Sequence, residues 1–249
     1  MKRKVLQFSM FVFLLATVSC SKSDGYSLGA FRISIATVNK ISDNSYSLTL
    51  DNGKVLYPSA SDVRYIPKDN QRVFVNYTIL SDQYAEYDHL VKVNDIWNIL
   101  TKGVIDLTTS NADSIGNDPV KINNIWVAND FMNVGFMFNY SGVRPHAINL
   151  VNNTTKTDAD GNEFVELEFR HNSYNSQSQY LFEGLACFNL KPFRRSDVDS
   201  VNIEVVVKEY DGNTVKENRY KEVYRYNGAT VNSIIYETPV LVASENDYY

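Results

Sequence analysis

The chain has 249 residues, of which 44% are hydrophobic, with 24 basic side chains against 29 acidic ones and a net charge of −5. That length suits one large or two small domains with real cores. The acidic balance weighs against nucleic acid, whose binding is driven by basic groups that displace counterions, and against flat adsorption to anionic lipid.

The first element is an export signal. Lys2, Arg3 and Lys4 precede an apolar run from Val5 to Val18, and Thr17-Val18-Ser19 places small residues just before Cys20. A charged head, a short greasy middle and a small-residue cleavage site make a signal peptide. The run is shorter than the roughly 20 residues that a membrane span needs. A cysteine at this point is the pattern of a bacterial lipoprotein cleaved before Cys20 and lipidated on it; the plainer alternative is a secreted protein cut nearby. Loss of residues 1–19 removes Lys2, Arg3 and Lys4 and no acid, which moves the charge from −5 to −8. The lipid must therefore do the anchoring. One acyl chain, at about 0.8 kcal/mol per buried methylene, holds only marginally, whereas two or three hold stably. The expected place is the outer membrane, on either face, with residues 20–29 as a tether.

Beyond the tether, period-two alternation dominates. Phe31, Ile33 and Ile35 mark a first strand. Tyr46, Leu48 and Leu50 alternate with polar residues in a second, and Lys54 to Tyr57 form a third. Asn52-Gly53 between these two predicts a tight primed hairpin turn. Val73, Val75, Tyr77 and Ile79 share the inner face of a fourth strand, opposite Arg72, Asn76 and Thr78. His89 to Val93 begin a fifth, and Pro58 to Pro67 hold the expected short helix before the fourth. Five strands in this order fit an OB-type barrel, and a small up-and-down barrel fits as well.

Thr101 to Pro119 is rich in turn formers and reads as a linker. Seven strands follow, at Ile122–Val127, Phe131–Tyr140, His146–Val151, Glu163–His171, Leu181–Leu190, Val201–Tyr210 and Val215–Tyr226. Turns at Asp160-Gly161 and Asp211-Gly212 help to separate them, and the spacing is that of a sandwich. Ser244 to Tyr249 read as a frayed tail. The fold class is all-β: an OB-like barrel over 30–105, then a β-sandwich over 106–243.

Several stretches resemble the NigD-like lipoproteins of Gram-negative anaerobes. In the first half they are Leu50-Asp51-Asn52-Gly53, Gln71 to Tyr77, and Val91-Lys92-Val93-Asn94 through Lys102. In the second they are Ser114 to Pro119, Asp130-Phe131-Met132-Asn133, His146 to Leu150 and Leu167 to Asn172. The resemblance implies an N-terminal OB domain and a C-terminal β-sandwich. It implies no settled activity; the family's association with a bacteriocin operon points toward immunity or a secretion accessory.

Candidate chemistry is sparse. The histidines are His89, His146 and His171. No HExxH or CxxC is present, so no zinc site has local support. His146 shares parity with Ile148 and Leu150, and His171 with Val165, Leu167 and Phe169, so both fall at ends of inward faces and could meet. The plain expectation is two neutral rings satisfied by backbone groups. Metal binding with Asp158 or Asp160, or catalysis with Cys187, is the sharper alternative. Cys187 lies in the apolar run Leu185 to Leu190 and reads as a small buried hydrophobe. Lys191, Arg194 and Arg195 form a basic cluster that could seat an anion, against the simpler reading of a solvated loop. Thr157 to Glu163 mimics a calcium loop, but strand flanks favour a hairpin. Asp113-Ser114-Ile115 and Asp199-Ser200-Val201 resemble short acceptor sites for O-linked glycans.

The expected role is therefore that of a non-catalytic envelope lipoprotein, needing no cofactor, that binds a protein partner or helps an assembly. A glycan-binding surface lipoprotein is the alternative, drawing on 17 tyrosines with Trp97 and Trp126 as flat faces. An unrecognised enzyme comes last.

Overall fold

The computed structural model describes residues 26–176 and 180–226. The export signal, Cys20 and the 244–249 tail lie outside them. Strands β1 (Phe31–Ser42), β2 (Ser45–Leu50), β3 (Val55–Ser61), β4 (Arg72–Tyr84) and β5 (Tyr87–Asn98) close a barrel in the order β1-β2-β3-β5-β4. Only β3 and β5 run parallel; the other neighbours are antiparallel. This is the OB closure. The expected strand phases fill it: Tyr46, Leu48 and Leu50 point inward with Val73, Val75, Tyr77 and Ile79.

Two local expectations fail. Gly53 N–H donates to the Leu50 carbonyl at 2.9 Å and Leu50 N–H to that of Lys54 at 2.8 Å, so the loop has three residues rather than two. Only Gly53 takes a positive φ, of 83°; this is the turn-plus-bulge hairpin, which asks for left-handed backbone only at its last residue. Nor is there a helix between β3 and β4. Pro58 sits at a bulge where its missing N–H does no harm. Asp62 N–H then bonds Val93 O, which keeps the chain against β5.

β1 forms where Phe31, Ile33 and Ile35 marked it, and the structure adds its phase. Ala36 and Val38 enter the barrel core, whereas Ile35 faces outward into a separate apolar cluster and Phe31 is exposed. The strand is buried on both sides because a second domain covers it.

That domain begins with almost no linker. Ile99 alone separates β5 from β6 (Leu100–Gly103), which pairs in parallel with β12 (Leu181–Asn189). β7 (Ile105–Asp106) pairs in parallel with β10 (Ala147–Thr157), and the helix α1 (Ala112–Ile115) follows it. The stretch read as a linker thus feeds both sheets: its turn formers shape short loops between pieces of structure. The seven expected strands are all present, the others being β8 (Lys121–Ala128), β9 (Phe131–Asn139), β11 (Glu163–Asn172), β13 (Ser200–Asp211) and β14 (Thr214–Arg225). They form one sheet ordered β14-β13-β11-β10-β7 and another ordered β6-β12-β9-β8, with Phe136, Phe138, Ile148, Leu150, Phe169 and Phe188 among the core between them.

The apolar run Leu185 to Leu190 is buried on both faces for a reason that parity makes plain. Ala186, Phe188 and Leu190 face the sandwich core. Leu185 and Cys187 face the barrel, where they meet Ile35, Ile99 and Phe131, with Phe74 and Trp126 packed at the margin. Each large apolar side chain buried there contributes about 1.5–3 kcal/mol.

Candidate functional site

A charge lies beside this apolar joint. Arg72 leads β4 and points out of the barrel, as its parity requires, but outward here means into the sandwich, and Arg72 is wholly buried. One guanidinium nitrogen lies 2.7 Å from Asp51 and 3.0 Å from the Thr37 hydroxyl. The other donates to Asp51 Oδ2 at 3.0 Å and to Asn133 Oδ1 of β9 at 3.1 Å. Burial opposes the arginine's charge, and the Asp51 carboxylate offsets it, so that the guanidinium is held charged. Cys187 Sγ donates to the same Asn133 oxygen at 3.1 Å. Burial pushes this thiol up to about 11 against the pull of Arg72, so Cys187 is a packing residue rather than a nucleophile. The sequence placed Arg72 on the strand face opposite the apolar one, and nothing local marks what covers that face, because the cover comes from residues some 60 positions away.

His146 and His171 do meet. His146 Nδ1 and His171 Nε2 are 2.9 Å apart, and both residues are buried. The pair sits under aromatic rings: Tyr140 stands edge-on to His146, and Phe138 contacts both histidines. The two rings bond each other, and the backbone at Pro119 and Asp118 also acts on His171, while His146 Nε2 faces no hydrogen-bond partner among the described residues. Burial holds His171 down at about 4, with His146 adding to the effect and Asp118 opposing it. Burial lowers His146 as well. Asp118 is itself held below the usual carboxylate range: burial would raise it, but the Ser173 hydroxyl and N–H donate to it at 2.6 and 2.8 Å and outweigh that cost. The arrangement is a neutral imidazole pair within an aromatic shell. Neither Asp158 nor Asp160 joins it, and no cluster of three metal-ligating side chains occurs among the described residues.

The basic cluster is balanced by acids. Arg194 pairs with Asp130, donates to the Tyr224 hydroxyl and lies over the Tyr226 ring. Arg195 pairs with Glu163 and Asp197, each at 2.7 Å. Lys191 reaches Asp130 at 3.7 Å and Asn70 of the barrel at 3.1 Å. With a carboxylate answering each base, the cluster carries no excess positive charge for an anion. Beside it opens a cleft of about 560 Å³ between the domains, lined by Lys54, Asp88 and Arg225 as well as Asp130 and Arg194. Asp158 to Asn162 is the expected hairpin turn, with the Asp158 carboxylate accepting the N–H groups of Asp160 and Asn162.

Two exposed surfaces were not singled out from sequence. At one end of the sandwich, the β9–β10 and β11–β12 connections are pinned together by Tyr140 N–H to Tyr180 O at 3.1 Å and Ser176 Oγ to Ser141 Oγ at 2.9 Å. They expose Val143, Tyr180 and Leu181. Arg144 lies 3.3 Å above the Tyr174 ring. On the barrel, Tyr57 of β3 stands beside Tyr84 and Tyr87 of the β4–β5 hairpin.

A five-stranded OB barrel docked without a linker on a two-sheet sandwich defines a two-domain all-β class. Residues 35–99 match the NigD-like N-terminal OB domain and residues 103–221 the NigD-like C-terminal beta sandwich domain. The chain belongs to the NigD-like family. A crystal structure from Parabacteroides distasonis is similar at 34% identity, covering 80% of this chain and 95% of that one, with a TM-score of 0.69. A protein of unknown function from Bacteroides vulgatus is similar at 30% identity, 82% and 96% coverage and a TM-score of 0.67. A NigD-like immunity protein from Bacteroides caccae shares the fold at 18% identity, with 78% and 93% coverage and a TM-score of 0.59. No curated protein matches the chain.

Proposed function

We propose that this chain is a cell-envelope lipoprotein, held at the outer membrane by lipid on Cys20, that binds a protein partner and performs no catalysis. The signal pattern ending at Cys20 supports the anchoring. So does the fold shared, at 10% identity, with a Bacteroides fragilis protein described as a "Putative lipoprotein". The observation that carries the binding role is the loop end of the sandwich, where Val143 is 86% exposed, Tyr180 77% and Leu181 58% beside the Arg144–Tyr174 stack. Apolar side chains set next to Tyr and Arg make the composition of an interface centre. The Arg72 network and the cluster around Cys187 fix the two domains against each other, so this end of the sandwich is presented without a hinge between the domains.

A photocrosslinking residue at Val143, activated in native membranes, tests this. Binding predicts one recurrent crosslinked protein whose yield falls in Leu181→Asp. Capture of a different set of neighbours in each repeat would refute the role. Protease shaving of intact cells then tells the outer face from the periplasmic one.

A further inference from the structure

The barrel carries a second surface with different chemistry. Tyr57 lies with its ring centroid 4.8 Å from Tyr87 and 5.7 Å from Tyr84, and the planes are tilted by only 31° and 32°. Tyr84 and Tyr87 face each other across the two-residue turn Ala85-Glu86. Ala85 is held at φ 53° and Gln83 at 46°, conformations that cost a non-glycine residue of order 1–3 kcal/mol each and persist where surrounding structure imposes them. The tip is thus shaped before any ligand arrives, and it holds Tyr84 48% exposed.

The carboxylates nearest the rings are Asp82 and Glu86, whereas Asp88 turns away to accept the Val55 N–H at 2.7 Å and Lys54 approaches His89 at 3.5 Å. Asp82 also takes a hydrogen bond from Tyr26 and sits 2.8 Å from His89. Two carboxylates beside flat rings disfavour phosphate, whereas sugar hydroxyls can donate to their remaining lone pairs and sugar C–H faces can lie on the rings. In an OB barrel, β3 and the loop between the fourth and fifth strands belong to the surface that takes extended oligomers, nucleotide or saccharide. Stacking of nucleic acid there also needs a basic groove, which this tip does not offer.

We infer that the Tyr57–Tyr84–Tyr87 face is a binding site for an uncharged oligosaccharide. This goes beyond the protein-binding role and rests on a separate surface, so either can fail without the other. Calorimetric titration of the full chain in detergent with cellohexaose, chitohexaose, xylohexaose and mannohexaose, and with a dT20 oligonucleotide, tests it. At least one saccharide should bind. Tyr84→Ala and Tyr87→Ala should each weaken it about tenfold, the worth of one stacked ring. Tyr84→Phe, which keeps the ring, should retain affinity, and the melting temperature of Tyr84→Ala should match the parent, because the side chain is half exposed. Failure of all four sugars, binding that survives both alanine changes, or tighter binding of dT20 would overturn the assignment. So would a crosslinked protein that is lost with the two tyrosines when no saccharide binds.

Discussion

Acid should weaken this protein through the contact between His146 and His171. The folded His171 holds its proton only below about 4, against 6.5 for an ordinary imidazole. A folded value below the unfolded one means that the unfolded chain takes up the proton first. Stability is then whole above pH 6.5, falls as pH drops from 6.5 towards 4, and is flat in this contribution below that. Each pH unit in the window is worth about 1.4 kcal/mol, so the full loss from His171 is about 3 kcal/mol, with about 2 kcal/mol gone by pH 5. His146 shifts in the same direction and adds to the effect. Carboxylates titrate too, Asp118 among them, so the measurement must be a difference. Urea unfolding at pH 7.5 and at pH 5 should be run on the wild type and on His146→Leu/His171→Leu. The double change removes both partners at once and leaves no orphaned ring. The wild type should lose at least about 2 kcal/mol more than the variant between the two pH values, the excess being the share of His146. Equal losses would refute the reasoning, because the buried pair would then contribute no pH dependence.

Three further outcomes follow from the packing. Arg72→Leu should destabilise by about 3–5 kcal/mol, since it leaves Asp51 buried without its counter-charge, and Arg72→Leu/Asp51→Leu should recover part of that in chemical denaturation. Gly184→Ala would set a methyl group 2.6 Å from the Phe136 ring in the sandwich core. It should lower stability by about 1–3 kcal/mol, read as a shift in thermal midpoint. Cys187 should resist a thiol reagent in the native protein and react only as the chain unfolds, because its thiol is buried and its pKa pushed up to about 11; labelling kinetics across a urea series would check this.

Alternation and turn chemistry determined much of this protein without help. The inward parity of Val73 to Ile79, of His146 to Leu150 and of Val165 to His171 is a property of the pleat, so the seven sandwich strands and five barrel strands were legible in order. So was the meeting of His146 with His171. The tertiary structure decided what covers each outer face. Ile35 and Arg72 both point out of the barrel, and local pattern cannot say that a second domain lies there; that depends on Phe131, Asn133, Leu185 and Cys187, distant in sequence. The segment read as a linker failed for the same reason, since β6 and β7 are strands only because β12 and β10 offer them free edges. The tyrosine face likewise exists only once β3 is laid beside the β4–β5 hairpin. Period two is fixed within a strand by covalent geometry, but burial of its outer side is fixed by whatever packs against it, and that information is spread over the whole chain.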